Sequence, residues 1–147
     1  TNGSQAQTIL RWYTYRWRIE EYHKILKSGC KAESYRLAGD SMQVLLGVLT
    51  SIAAQLLKMT YLNRTNPEAP ALYVLNEVQI EVLVAKSRKP LSTVDLTIAW
   101  AIQAVARLGG YLSHRRKSNI GMTVLWRGFL ELQSLCEGWQ LRSDFEV

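Results

Sequence analysis

Apolar positions recur at three- and four-residue spacing along most of this chain, and that period predicts helices rather than strands. The first helix is expected from Thr8 to Lys27, after a frayed lead over residues 1–7. Ser28-Gly29 is expected to end it, with Gly29 as a left-handed cap. Trp12, Tyr15, Ile19, Tyr22 and Leu26 form its apolar stripe. Cys30 to Leu37 is a short connection carrying Lys31, Glu33, Tyr35 and Arg36. Asp40 or Ser41 caps the second helix, which reads to about Tyr61. Val44, Leu45, Val48, Leu49, Ile52, Ala53, Leu56 and Leu57 keep helical spacing there, while Met42, Leu46 and Met59 spread the apolar surface almost all round. A helix of that kind belongs inside, between other layers, and it is expected to receive the stripe of the first helix.

The polar run from Asn63 to Pro70, with Pro67 and Pro70, marks a boundary because proline cannot continue a helix. Two shorter helices are expected at Ala71–Asn76 and Glu77–Ala85. The run from Val78 to Val84 alternates and is rich in β-branched residues, so periodicity alone leaves a strand open there. Ser87 to Pro90 reads as a turn. A further helix is expected from Val94 to Leu108, with Thr93 as N-cap, Asp95 in the first turn and Gly109-Gly110 as the stop. Its core stripe is Ile98, Ala101, Ile102, Val105 and Leu108, with Trp100 at one edge. Ser113 to Gly121 is a basic polar loop. The last helix is expected from Thr123 to Glu137, ended by Gly138, with a tail beyond Trp139. Val124, Leu125, Phe129, Leu132 and Leu135 form its core stripe, extended by Trp126 and Leu130. There is no internal repeat and no low-complexity segment.

Composition narrows the picture. With 147 residues, 48% of them hydrophobic, the chain is about one domain's worth and can bury a core. A net charge of +6 and an isoelectric point near 9.5 favour a polyanionic partner, nucleic acid before membrane. Cys30 and Cys136 lack metal-ligand spacing, to each other or to His23 and His114, and read as free thiols of a reducing compartment. The opening TNGSQAQT has neither a starting methionine nor a signal pattern and reads as an arbitrary cut. Met42 to Leu57, the longest apolar stretch, is broken by Gln43, Thr50, Ser51 and Gln55 and falls short of the roughly 18 residues a spanning helix needs.

The densest chemistry lies between Trp12 and Lys27. At about 100° per residue, Tyr13, Arg16, Glu20, Lys24 and Lys27 fall within an arc of about 80° on one stripe. A carboxylate among cations admits two readings. One is a solvated helix face, with Arg16–Glu20 and Glu20–Lys24 as i,i+4 pairs. The other is a metal ligand flanked by phosphate clamps, since a hard divalent cation takes carboxylate oxygens and a phosphodiester beside it takes Arg and Lys. Glu21 points about 100° away from the stripe and is rejected as the ligand. His23, near the stripe's edge, reads as solvated or structural. Lys24 and Lys27 also suit the negative end of the helix dipole. Trp17, beside the stripe, is either a base-stacking platform or a half-buried packing aromatic.

Tyr13-x2-Arg16-x3-Glu20-x6-Lys27 matches the YREK signature of the IS4-type DDE transposases. The run YTYRWRIEEYHKILKSG, and a second block from Ala106 to Leu135, ARLGGYLSHRRKSNIGMTVLWRGFLELQSL, resemble the Tn5 transposase subgroup. The resemblance covers most of the chain but only the C-terminal part of such an enzyme. It implies an all-α fragment. Residues 1–62 would be the helical end of an RNase H-like catalytic domain, 63–70 a linker, and 71–147 a helical dimerisation domain; on this ground Val78 to Val84 is assigned to helix. Glu20 would be the third catalytic carboxylate and a ligand of Mg2+ or Mn2+ in the full-length enzyme, with no ion retained by the fragment. Tyr13, Arg16 and Lys27 would hold the DNA end, with Lys24, Trp17 and Arg36 as further DNA contacts. The implied partners are transposon-end DNA and a second copy joined through the C-terminal helices, in the bacterial cytoplasm near the nucleoid, with no membrane. Neither Asp40, Asp95 nor Asp144 has the setting of a strand-borne catalytic aspartate, so the piece is expected to be inactive alone. The alternative is a non-catalytic helical dimerisation or inhibitor protein derived from a transposase. A third reading is an unrelated basic helical DNA-binding domain.

Overall fold

Helix dominates because nearly every apolar run keeps a helical period and the breakers lie between the runs. The structure is a computed structural model that describes residues 2–29, 36, 38–90, 94–112 and 120–145. The elements are α1 (Asn2–Lys24), a π-helical turn (Ile25–Gly29), α2 (Asp40–Thr65), a 3-10 turn (Ala71–Tyr73), α3 (Glu77–Ser87), α4 (Ile98–Leu108) and α5 (Met122–Phe145). Among the described residues the only β pairing is an isolated antiparallel bridge between Pro70 and Thr97. The chain divides into two units, Thr1–Leu57 and Lys58–Val147. The division falls inside α2, several residues before the proline-rich segment where composition places it.

In the first unit, α1 is helical from Asn2, so the lead expected to fray is ordered into the helix. Past Lys24 the helix widens into a π-helical turn that ends at Gly29, where the stop was expected. The aromatic stripe is not buried as expected: Trp12, Tyr15 and Ile19 are exposed, and Tyr22 and Leu26 are half-buried; among the described residues of this helix and its π-helical turn only Ile25, outside the stripe, is fully enclosed. Helical spacing gathers these side chains on one side, but gathering them supplies no partner. Gly39, with a left-handed φ of 62°, opens α2; its carbonyl accepts from the Met42 and Gln43 amides at 3.1 and 3.3 Å. Asp40 is therefore the first helical residue and places its carboxylate in the first turn, where it suits the positive end of the dipole. Burial on α2 follows one side, through Leu49, Ile52, Ala53 and Leu56, while Val44, Leu46 and Val48 are exposed. The expectation of a helix buried all round is thus corrected to one buried side. At 26 residues, with an 18-residue window of mean hydropathy 1.5, α2 is long and apolar enough to cross a bilayer by length and composition.

The second unit is built on α3, α4 and α5. After α2 ends at Thr65, residues 66–70 do not hang as a linker. The Pro67 and Ala69 carbonyls accept from the Ala99 and Ile98 amides at 3.0 and 2.9 Å, and the Ala71 amide donates to the Leu96 carbonyl at 2.8 Å. These bonds satisfy amides that a helix N-terminus leaves without intrahelical partners. Thr97 is the N-cap of α4, its hydroxyl accepting from the Trp100 amide at 3.2 Å. The helix therefore starts four residues later than Val94. Thr93 lies outside the described residues. Val78 to Val84 is helical, as the resemblance implied. Asn76 caps α3 in a capping box: its side chain accepts from the Gln79 amide at 2.9 Å, and its amide donates to the Gln79 side chain at 3.0 Å.

The core joins Ile80, Val82 and Leu83 of α3, Ile98, Ala101, Ile102, Val105 and Ala106 of α4, and Leu125, Trp126, Phe129 and Leu132 of α5. The α4 stripe matches expectation except that Leu108 is only half-buried and Ala106 joins the core. At its C-terminus Gly110 takes φ 92°, the Gly110 amide donates to Arg107 and the Tyr111 amide to Ala106, closing the helix with a left-handed turn. The last helix runs through Gly138 to Phe145, so the expected tail is helical. Glycine costs a helix interior about 1 kcal/mol but does not end it without such a left-handed turn.

Candidate nucleic-acid interface

The candidate site lies on the middle of α1, where an i,i+4 spacing brings Arg16 and Glu20 together. The Arg16 Nε donates to Glu20 Oε1 at 3.3 Å, with the two side chains 71% and 57% exposed. Glu20 faces solvent and not an apolar interior, on the same edge as Arg16. The pair is a single contact, not a two-pronged clamp. At this exposure it is worth only about 0.2–0.5 kcal/mol to the helix. Folding therefore has little need of it, and both groups stay available to a ligand that supplies a better partner.

Around this pair the surface is aromatic and cationic. Tyr13 is 60% exposed, one turn before Arg16. Trp17 is 65% exposed, with its indole open to solvent. On another side of the helix the half-buried Arg18 stacks over the Tyr15 ring, its Cζ 5.4 Å from the centroid. An exposed guanidinium such as that of Arg16 beside open rings can take a nucleic-acid strand by phosphate attraction and base stacking together.

The C-terminal part of the stripe departs from simple extrapolation. Lys24 closes α1, but Lys27 lies in the π-helical turn, whose i→i+5 hydrogen bonds make each residue advance by less than the about 100° of an α-helix. Lys27 thus falls behind the line drawn through Tyr13, Arg16 and Glu20. Both lysines are exposed, and so is Arg36. Glu21 is half-buried and His23 exposed, its ring meeting Tyr22 edge-on at 5.9 Å. Cys30, Lys31, Tyr35 and the basic cluster Arg115-Arg116-Lys117 lie outside the described residues.

Among the described residues no group of three His, Cys, Asp or Glu side chains converges on a possible metal position. Glu20 supplies one exposed carboxylate already engaged by Arg16. The described residues therefore do not by themselves form a divalent-cation site. Cys136 is an unpaired, half-buried thiol on α5, and burial raises its pKa, which keeps it protonated and poorly nucleophilic. The capping box at Asn76 is a feature that reading by hydrophobic period missed, although Asn-x-x-Gln ahead of an apolar run is its signal. No protein-family model matches the chain.

Proposed function

We propose that this chain is the C-terminal part of a cut-and-paste DNA transposase of the IS4 type. In this reading Glu20 contributes one carboxylate to a catalytic set whose other members lie on a segment outside the chain. Arg16, Tyr13, Lys24, Lys27, Trp17 and Arg36 bind and orient the DNA end. The observation that carries the proposal is the exposed Arg16–Glu20 contact beside Tyr13, on an edge that folding does not require. The uncovered aromatic side of α1, Trp12, Tyr15 and Ile19, supports it as well. Such a surface suits a helix that packs against the sheet of an RNase H-like domain supplied by the rest of the protein. The second unit acts as the dimerisation module, and the exposed Leu130, Trp139, Leu141 and Phe145 of α5 are its candidate contact surface.

Arg16 gives the chemistry a direction. While no phosphate is present it neutralises Glu20. When a phosphodiester arrives, the guanidinium can turn to the phosphate oxygens and leave the carboxylate free. The test uses the complete protein encoded by the reading frame, with its transposon-end DNA and Mg2+. The wild type should nick the DNA at the transposon boundary, and Glu20→Gln should abolish nicking while DNA binding persists or tightens and the melting temperature is kept. Nicking that persists in Glu20→Gln would overturn the assignment.

A further inference from the structure

A groove of about 310 Å³ runs along α3 in the second unit. Glu77, Ile80, Glu81 and Val84 line it from one face of that helix, across from Pro70–Leu72 and Leu96. The lining is apolar apart from the two carboxylates. Glu77 and Glu81 stand one helical turn apart, both exposed, and neither forms an ion pair or hydrogen bond among the described residues. Leu72, 59% exposed, extends the apolar surface beyond the groove.

We propose that this groove docks a basic amphipathic helical segment of a partner protein. Its apolar side chains would fill the space between α3 and the 3-10 turn, and its lysine or arginine side chains would meet Glu77 and Glu81. Charge selects this occupant. The chain carries a net +6, and against that background two exposed carboxylates beside an apolar groove disfavour nucleic acid and favour a cationic segment. Shape agrees: the lining face of α3 covers two turns, roughly 10 Å, which leaves room for apolar anchors spaced i and i+4, about 6 Å apart, on a docking helix. The inference stands on the second unit alone and does not depend on the transposase reading.

The test is fluorescence anisotropy on the whole chain with a labelled synthetic peptide of about twelve residues, leucines at i and i+4 and lysines at i+3 and i+7. Saturable binding is expected. The pair Glu77→Gln and Glu81→Gln should weaken it by about tenfold or more, and Leu72→Asp should abolish it, with circular dichroism unchanged in both. A peptide carrying glutamate in place of lysine should not bind. Three outcomes overturn the proposal: no saturable binding of the basic peptide, equal binding of the acidic one, or binding unaffected by the glutamate substitutions. Sedimentation that reveals Leu72-dependent self-association also overturns it, because the occupant is then a second copy.

Discussion

Gly109 and Gly128 meet backbone to backbone where α4 ends against α5. A β-carbon built on Gly109 would lie 2.9 Å from the Gly128 amide nitrogen and against the Val124 carbonyl oxygen. One built on Gly128 would lie 3.0 Å from the Gly109 nitrogen and against the Val105 carbonyl oxygen. Both helices thus depend on a missing side chain at the same place, and the core on either side of it is set by how closely their axes approach.

Gly128→Ala should therefore destabilise the second unit strongly. Overpacking costs about 1–3 kcal/mol, and here the obstructing atoms are backbone, which puts the loss at the upper end. Thermal denaturation should show a fall of roughly 10 °C or more. Gly47→Ala on α2, where nothing lies within 4 Å of an added β-carbon, should instead raise stability by about 0.5–1 kcal/mol.

The capping box on α3 sets a second expectation. Asn76→Ala should cost about 1 kcal/mol, because it leaves the Gln79 amide without its acceptor. Gln79→Ala should cost less, since the Asn76 amide it abandons is exposed to water. Chemical denaturation of the two single variants and the double variant would measure the coupling; a double-variant loss smaller than the sum marks a reciprocal pair.

On α1, Glu20→Gln should change stability by less than about 0.5 kcal/mol. Its effect on DNA should be opposite in sign to that of Arg16→Ala. Removing the carboxylate releases the guanidinium for phosphate and tightens binding, whereas removing the guanidinium weakens it. In a salt titration, Arg16→Ala should lower the slope of log K against log salt by about 0.7–0.9. Equal slopes for Arg16→Ala and wild type would place the DNA elsewhere.

Cys136 gives a pH dependence with a definite sign. Burial raises the pKa of this acid above its ordinary value near 9.0, so the folded protein keeps a proton that the unfolded chain gives up. Stability should be level below that value and decline as pH rises through it, until the folded-state thiol itself ionises. Melting curves between pH 8 and 10.5 for wild type and Cys136→Ala would display it; parallel curves would remove Cys136 as the cause.

How much of this was legible in the sequence varies by element, for physical reasons. The α4 stripe was readable because its apolar residues lie on one side and its partners lie in the same chain. The α1 stripe has the same kind of pattern, yet period reports only that a surface can bury, not whether anything covers it. Thr93 and Thr97 are equally good N-caps locally; what favours Thr97 is the set of long-range bonds from the Pro67 and Ala69 carbonyls, which local sequence does not display. Gly110 turns left-handed and ends a helix, while Gly138 continues one, because φ follows from the fold around it. The Arg16–Glu20 contact was readable from a spacing of four. The place of Lys27 was not, because a constant angular step cannot anticipate a π-helical turn.

The bonds from residues 67 and 69 to the start of α4 bear on where the chain can be cut. A polypeptide begun at Ala71, after the prolines, would discard the carbonyls that receive the Ile98 and Ala99 amides and expose the front of its central helix. One begun at Lys58 would keep them. A protease that clips between Pro67 and Ala71 should thus act as more than a pair of scissors between two pieces: it would loosen the half it leaves behind.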